Sequence, residues 1–200
     1  MTPQTDAPVV LRSARRSDAR AIAELFRISS DGVADYIWET LRDDYLGLEP
    51  IEIGERRYQR ENTTFSYQHC LVAEREGAIV AMMHAFALAP RPAREAPPAP
   101  ADPVLRPYAE LEAPGSLYIS AMAVREGHRG QGIGGRLIDA ARERARALGL
   151  PELSLLCFAA NEGARRLYAR QGFTVIDRRD IVPHPLIRHT GEVLLMTAPA

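Results

Sequence analysis

The apolar positions of this 200-residue chain change period several times, and each change marks an element. Residues 9–13 predict a short strand. Ser17 or Asp18 then offers an N-cap for an amphipathic helix with Ile22, Leu25, Phe26 and Ile28 as its apolar stripe. A second helix is predicted over residues 34–45, ending near Gly47, and a short third one over residues 54–61. Residues 69–74 and 78–88 are apolar runs separated by Arg75-Glu76-Gly77, the pattern of a hairpin. Leu117–Val124 is apolar or small throughout and reads as a strand. A helix over residues 131–148 follows, stopped by Gly149 and by Pro151 just beyond. Glu152–Phe158 is another buried strand. Asn161 opens a helix that ends near Gln171-Gly172, and residues 173–179 and 192–196 form two last strands. The segment 89–107 breaks this rhythm: it is rich in proline and alanine, long enough to be a functional loop, with room for a short helix over residues 104–111. The order predicts a loose tail at residues 1–8 and one mixed α/β (α+β) domain over 9–200. Its sheet is mostly antiparallel, with a β-α-β unit at the centre.

Composition narrows the class. With 46% hydrophobic and 26% charged residues the chain is globular, and its length allows one full core. A formal net charge of −1 gives no electrostatic case for nucleic acid or an anionic membrane as partner. No apolar run approaches a membrane span, and the N-terminus lacks the charged-then-apolar pattern of a signal peptide. All 25 basic side chains other than histidine are arginine, so no side-chain amine is available for self-acylation. The 2 cysteines, Cys70 and Cys157, each fall inside a predicted strand, which suits buried thiols in a reducing, cytoplasmic compartment better than a disulfide. His184 and His189 flank four residues with no completing cluster of cysteine, histidine and acid, so no metal is expected. His69 and His84, in the predicted hairpin, read as partner-bonded strand histidines.

The chemistry concentrates between the central strand and the helix after it. Arg129-Gly130-Gln131-Gly132-Ile133-Gly134-Gly135 puts four glycines at a strand-to-helix turn, where a ligand can approach the backbone and a helix start offers unpaired N–H groups. Such a turn is an anion site, usually for phosphate. It is not a P-loop, because no Lys-Ser/Thr pair follows. It formally matches a dinucleotide fingerprint at Gly130, Gly132 and Gly135. The next strand, however, ends Cys157-Phe158-Ala159-Ala160, without the ribose-binding acid that a nicotinamide enzyme needs. A second motif follows: Asn161-Glu162-Gly163-Ala164-Arg165-Arg166-Leu167-Tyr168.

Together these motifs resemble the GNAT superfamily of acetyl-CoA-dependent N-acetyltransferases. Its signature Arg/Gln-x-x-Gly-x-Gly/Ala is matched by Arg129, Gly132 and Gly134. Its Asn seven residues before a Tyr is matched by Asn161 and Tyr168. The close match covers roughly residues 117–173, and the element order fits nearly the whole chain. The resemblance implies a GNAT-like fold and an acyltransferase that moves an acetyl group from acetyl-CoA, its cosubstrate, to a primary amine of a small molecule or peptide. Transfer would be by direct attack in a ternary complex. It implies that Met122, Ala123 and Val124 meet the pantetheine arm through backbone groups and that the turn from Arg129 through Gly130, Gln131, Gly132, Ile133, Gly134 and Gly135 anchors the pyrophosphate. Asn161 would bond the arm from the other side, and Tyr168 would protonate the leaving thiolate or hydrogen-bond it. Dimers are common in that family, so a homodimer is compatible with it.

The general base is not evident. Positions that carry an acid or histidine in some members are Tyr118 and Ser120 here, and the glutamate often found five residues before the Asn in protein N-terminal acetyltransferases is Leu156. The gap keeps open a non-catalytic acyl-CoA-sensing module on the same fold. Asp31, Asp35, Glu39, Asp43 and Asp44, with Tyr36 and Trp38 interleaved, would suit a cationic amine, although a solvated helix face is the preferred account. Glu110 and Glu112 are further acidic candidates.

Overall fold

A computed structural model describes residues 7–91 and 102–200, so most of the proline-rich segment and residues 1–6 of the expected tail lie outside the described residues. Among the described residues the strands β1 (Val10–Ser13), β2 (Cys70–Arg75), β3 (Ala78–Ala87), β4 (Leu117–Val124), β5 (Glu152–Phe158), β6 (Thr174–Asp180) and β7 (Glu192–Pro199) form one open sheet in the order β1-β2-β3-β4-β5-β7-β6. The β4–β5 pair is parallel and the other neighbours are antiparallel. The helices are α1 (Ala19–Ser30), α2 (Val33–Thr40), α3 (Pro50–Tyr58), α4 (Arg106–Ala109), α5 (Ile133–Ala147) and α6 (Glu162–Arg170).

Local chemistry sets several boundaries. The β2–β3 hairpin closes through Glu76 and Gly77, both at positive φ (51° and 79°), the two-residue turn whose twist matches that of the strands. α5 exists because Ile133, Leu137, Ile138, Ala141 and Ala145 recur on one buried face. It stops at Gly149 (φ 69°), where Leu150 N–H reaches the Ala145 carbonyl at 2.9 Å and Gly149 N–H reaches that of Arg146 at 3.0 Å.

Three expectations about the first three helices need correction. Ile28 is exposed, because α1 packs through Ala19, Ile22, Ala23, Leu25 and Phe26, and Ile28 falls off that stripe. The second helix ends at Thr40, with a separate 3-10 turn over Arg42–Asp44. The third begins at Pro50, where the Glu52 carboxylate accepts from Glu49 N–H at 2.8 Å and proline occupies the first helical position.

One face of the sheet packs under α5 and α6, with Leu137, Ile138, Leu153 and Leu155 in that core. Strand alternation sends other side chains to the opposite face, where two separate clusters form. One lies under α1–α3 and includes Val72, Met82, Ala121 and Ala123. The other gathers Phe158, Val193, Leu195 and Ile187 with Leu111 and Val104. α2 bridges them, giving Ala34 and Trp38 to the first and Val33 and Tyr36 to the second.

Gly54, in the middle of α3, lies against Trp38: a Cβ there would come within 2.4 Å of the indole. Alanine would gain about 1 kcal/mol in helix propensity, but intruding on a buried, rigid ring costs about 1–3 kcal/mol. Gly54→Ala is therefore expected to lower the urea midpoint, and an equal or higher midpoint would contradict this packing.

Candidate active site

The site begins where β4 leaves β5. Their parallel ladder covers only Leu117–Ile119 against Leu153–Leu155. The cause lies on the other side of β4, where Ile119 faces Ala85 and Ala121 faces His84, leaving Ser120 as an extra residue. Such a bulge bends and twists its strand. Beyond it β4 keeps β3 as partner (Met122 to Met83, Ala123 to Met82, Val124 to Ala81), while β5 keeps only β7. Among the described residues the β5-facing edge of residues 120–124 has no ladder partner, so its peptide groups can take up an extended, amide-bearing ligand.

The turn continues this edge into a helix start. Gly130 and Gly132 adopt φ of 74° and 77°, and a Cβ on either would meet nothing within 4 Å. These two are required by the backbone and border open space. Gly134 and Gly135 serve differently: a Cβ there would press on Leu167 at 3.0 Å and Gln171 at 3.2 Å, so these two let α5 approach α6. The first intrahelical bond of this kind runs from Arg136 N–H to the Gly132 carbonyl at 3.1 Å, leaving the N–H groups of Ile133, Gly134 and Gly135 without an intrahelical acceptor. Arg129 Nε bonds the Val124 carbonyl at 3.0 Å, tying the turn to the end of β4, and Gln131 Nε2 reaches the Gly127 carbonyl at 3.4 Å. The helix starts at Ile133 rather than at Gln131 as expected.

Across the cleft, Asn161 caps α6: its Oδ1 accepts from Ala164 N–H at 3.0 Å, which leaves its amide NH₂ free to donate. Tyr168 is the buried residue of α6, its ring 5.6 Å from that of Phe173. Burial, with Cys157 nearby, holds its phenol above the ordinary tyrosine range, so it stays protonated and able to donate. Burial also pushes the Cys157 thiol up to about 11 and raises that of Cys70, so neither is a thiolate at neutral pH.

The opposite face holds a group that sequence reasoning underrated. The bulge turns Ser120 towards His84, whose Nδ1 lies 2.5 Å from the Ser120 oxygen and whose Nε2 lies 2.9 Å from the Thr64 carbonyl. The available signal was a polar residue at an inward position between Met82 and Phe86 of β3. Desolvation pulls the His84 pKa down to about 4, with His69 and Arg144 acting the same way and the Thr64 bond opposing them.

The acidic, aromatic mouth does not assemble. Trp38 is core, 2% exposed. Asp35 pairs with Arg27 at 2.7 Å, Glu39 with Arg42 at 3.3 Å, Glu110 with Arg179 at 3.3 Å, and Glu112 with Arg91. Asp31 pairs with His189 at 3.0 Å and accepts at its backbone carbonyl from Arg188 N–H at 2.9 Å. Together with Gly32, packed onto the Leu186 carbonyl, this fastens the α1–α2 turn to the β6–β7 loop.

A family model described as the acetyltransferase (GNAT) family matches residues 34–173. Among solved structures the chain is similar to an N-acetyltransferase from Staphylococcus aureus Mu50, at 17% identity over 94% of this chain and 100% of that one, TM-score 0.62. It is similar to the ribosomal-protein-S18-alanine N-acetyltransferase from Escherichia coli, at 14% identity over 96% and 94%, TM-score 0.60. A GNAT family acetyltransferase from Elizabethkingia anophelis with acetyl-CoA bound aligns at 16% identity over 96% and 98%, TM-score 0.56. At these identities the likeness is one of fold. No curated protein matches the chain.

His84 makes stability depend on pH. Its pKa is ordinary, near 6.5, in the unfolded chain and about 4 in the folded protein. The unfolded state binds more protons between these values, so stability rises with pH across that window and is lost as pH falls from 6.5 towards 4. The separation corresponds to about 3 kcal/mol. Urea midpoints of the wild type should fall more steeply over that range than those of His84→Asn, and parallel profiles would contradict a buried neutral imidazole.

Proposed function

We propose, from the premise that the chain belongs to the acetyltransferase (GNAT) family, that it transfers the acetyl group of acetyl-CoA to a primary amine of a small molecule or peptide. The observation that carries this reading is the parting of β4 from β5 beside an open helix start. Coenzyme A has a pyrophosphate at one end and an amide-bearing arm at the other. The N–H groups from Gly130 to Gly135 suit the pyrophosphate, with Gln131 and Ile133 contributing backbone groups and Arg129 holding the turn in shape. The free edge at Met122, Ala123 and Val124 suits the arm. Asn161 can meet the arm only as a donor, since its carbonyl oxygen already caps α6.

In the reaction the neutral amine attacks the thioester carbon directly in a ternary complex. The N–C bond forms, the C–S bond breaks, the nitrogen loses a proton and the sulfur gains one. A β4 backbone N–H stabilises the developing oxyanion. Tyr168 donates to the leaving sulfur, a role its protonated, buried phenol supports. No acyl-enzyme at cysteine is invoked, because both thiols are buried and protonated.

Two substitutions test this reading. Tyr168→Phe should lower kcat by about tenfold to a thousandfold while acetyl-CoA affinity stays near wild type, and unchanged kcat would remove Tyr168 from the chemistry. Gly132→Glu places a carboxylate in open space, so the protein should fold with only about 1–2 kcal/mol of backbone strain yet lose acetyl-CoA binding in calorimetry. Retained binding would put the phosphate site elsewhere.

A further inference from the structure

A sealed histidine fixes the direction of a hydroxyl at the mouth of the cleft. His84 is fully buried, and its Nε2 faces the Thr64 carbonyl, which can only accept; Nε2 therefore carries the hydrogen. Burial keeps the ring neutral at physiological pH, so Nδ1 is bare. The Ser120 hydroxyl, 2.5 Å away, must then donate to Nδ1. A serine that donates inward has only lone pairs left to present outward. Ser120 is half-buried, at the bulge where β4 parts from β5, so a ligand entering there meets an acceptor oxygen.

The surroundings are aromatic. Phe65 and Phe86 lie 5.2 and 5.5 Å from the imidazole ring, and Tyr118 lies 5.5 Å from Phe86; all three are half-buried. Among the described residues, the carboxylates of Asp35, Glu110 and Glu112 are already paired with arginine, which leaves them poorly suited to hold a second ammonium group, and that of Asp31 is engaged by a hydrogen bond with His189.

We infer that Ser120, oriented by His84, receives an N–H of the attacking amine, and that this amine is carried on an aromatic or branched apolar arm rather than on a polyamine chain. The inference rests on the amine acetylation proposed above. A nitrogen whose N–H points at Ser120 has its lone pair free for the thioester carbon. The hydrogens of Ser120 and His84 stay where they are. His84 is not the terminal proton acceptor, since a group with a pKa near 4 is protonated in roughly one molecule per thousand at pH 7. The amine releases its extra proton to solvent before attack, and the proton lost from nitrogen is balanced by the one gained at sulfur. Ser120 is thus a catalytic contact and His84 a positioning residue.

The test follows acetyl-CoA consumption with 2-phenylethylamine, 3-methylbutylamine, spermidine and putrescine, using the wild type, Ser120→Ala, His84→Phe and the double variant. The two apolar monoamines should exceed the polyamines in kcat/KM by about tenfold or more. Ser120→Ala should raise the KM for 2-phenylethylamine by about tenfold, the effect of one lost hydrogen bond, with acetyl-CoA affinity unchanged. His84→Phe should do the same, and the double variant should be no worse than either single one, because the two residues act as one unit. Nitrogen-15 NMR of the wild type should find His84 protonated at Nε2, a readout that does not depend on whether His84→Phe folds. Polyamine preference, an unchanged KM in Ser120→Ala, additive losses or an Nδ1–H tautomer would each overturn the inference. So would failure to acetylate any of the four amines by a protein that binds acetyl-CoA. Failure to bind acetyl-CoA would instead overturn the reading on which the inference rests.

Discussion

Ser120 is one residue more than β3 has positions for, and β4 accommodates it by bending away from β5. The central pair of the sheet therefore opens into a wedge after Ile119. Peptide groups along that wedge are not satisfied by the neighbouring strand, and burying them unpaired would cost about 1–3 kcal/mol each. Apart from the Val124 carbonyl, which Arg129 Nε holds, they face water or a ligand with amides of its own. The same bulge shifts the alternation of β4, so Leu117 and Ile119 face the α5–α6 core while Ala121 and Ala123 face α1–α3. It also brings Ser120 within reach of His84. The cleft, the change of face and the oriented hydroxyl share this one origin.

The rest of the chain holds the wedge in place. α5 and α6 brace it from one face, and the contacts of Gly134 and Gly135 with Leu167 and Gln171 set how closely those helices approach. On the other face the apolar residues form two clusters rather than one, separated along the line where the strands part and joined through α2. The clasp of Asp31 and Gly32 onto the β6–β7 loop fastens the two sides together. Most carboxylates of this region take part in such ties, so the acidic stretch is scaffolding more than a cationic trap.

Much of this was legible in the residues. The bounds of β4 and β5 could be read from continuous apolar runs, and the turn of α5 from its glycines and its stop at Gly149. The bulge was not legible, because Leu117–Val124 is apolar or small at every position and so carries no alternation from which a change of parity could be seen. His84 was read as a bonded strand histidine, which it is, but its partner Ser120 is 36 positions away and only the register brings them together. The division of the four glycines into two for φ and two for packing depends on α6, a later element. The start of α3 was legible too: Pro50 at the first helical position, with Glu52 able to reach back to Glu49 N–H, is a helix-opening pattern in its own right.

The central claim is that one continuous backbone surface, the free edge of β4 and the opening turn of α5, holds acetyl-CoA. Its most direct test is an NMR titration of the labelled protein with acetyl-CoA, following the backbone amide signals. The account predicts the largest shifts at Met122 to Val124 and at Gly130 to Gly135, saturating together with one dissociation constant. Saturable shifts confined to other segments, or none at all, would contradict it.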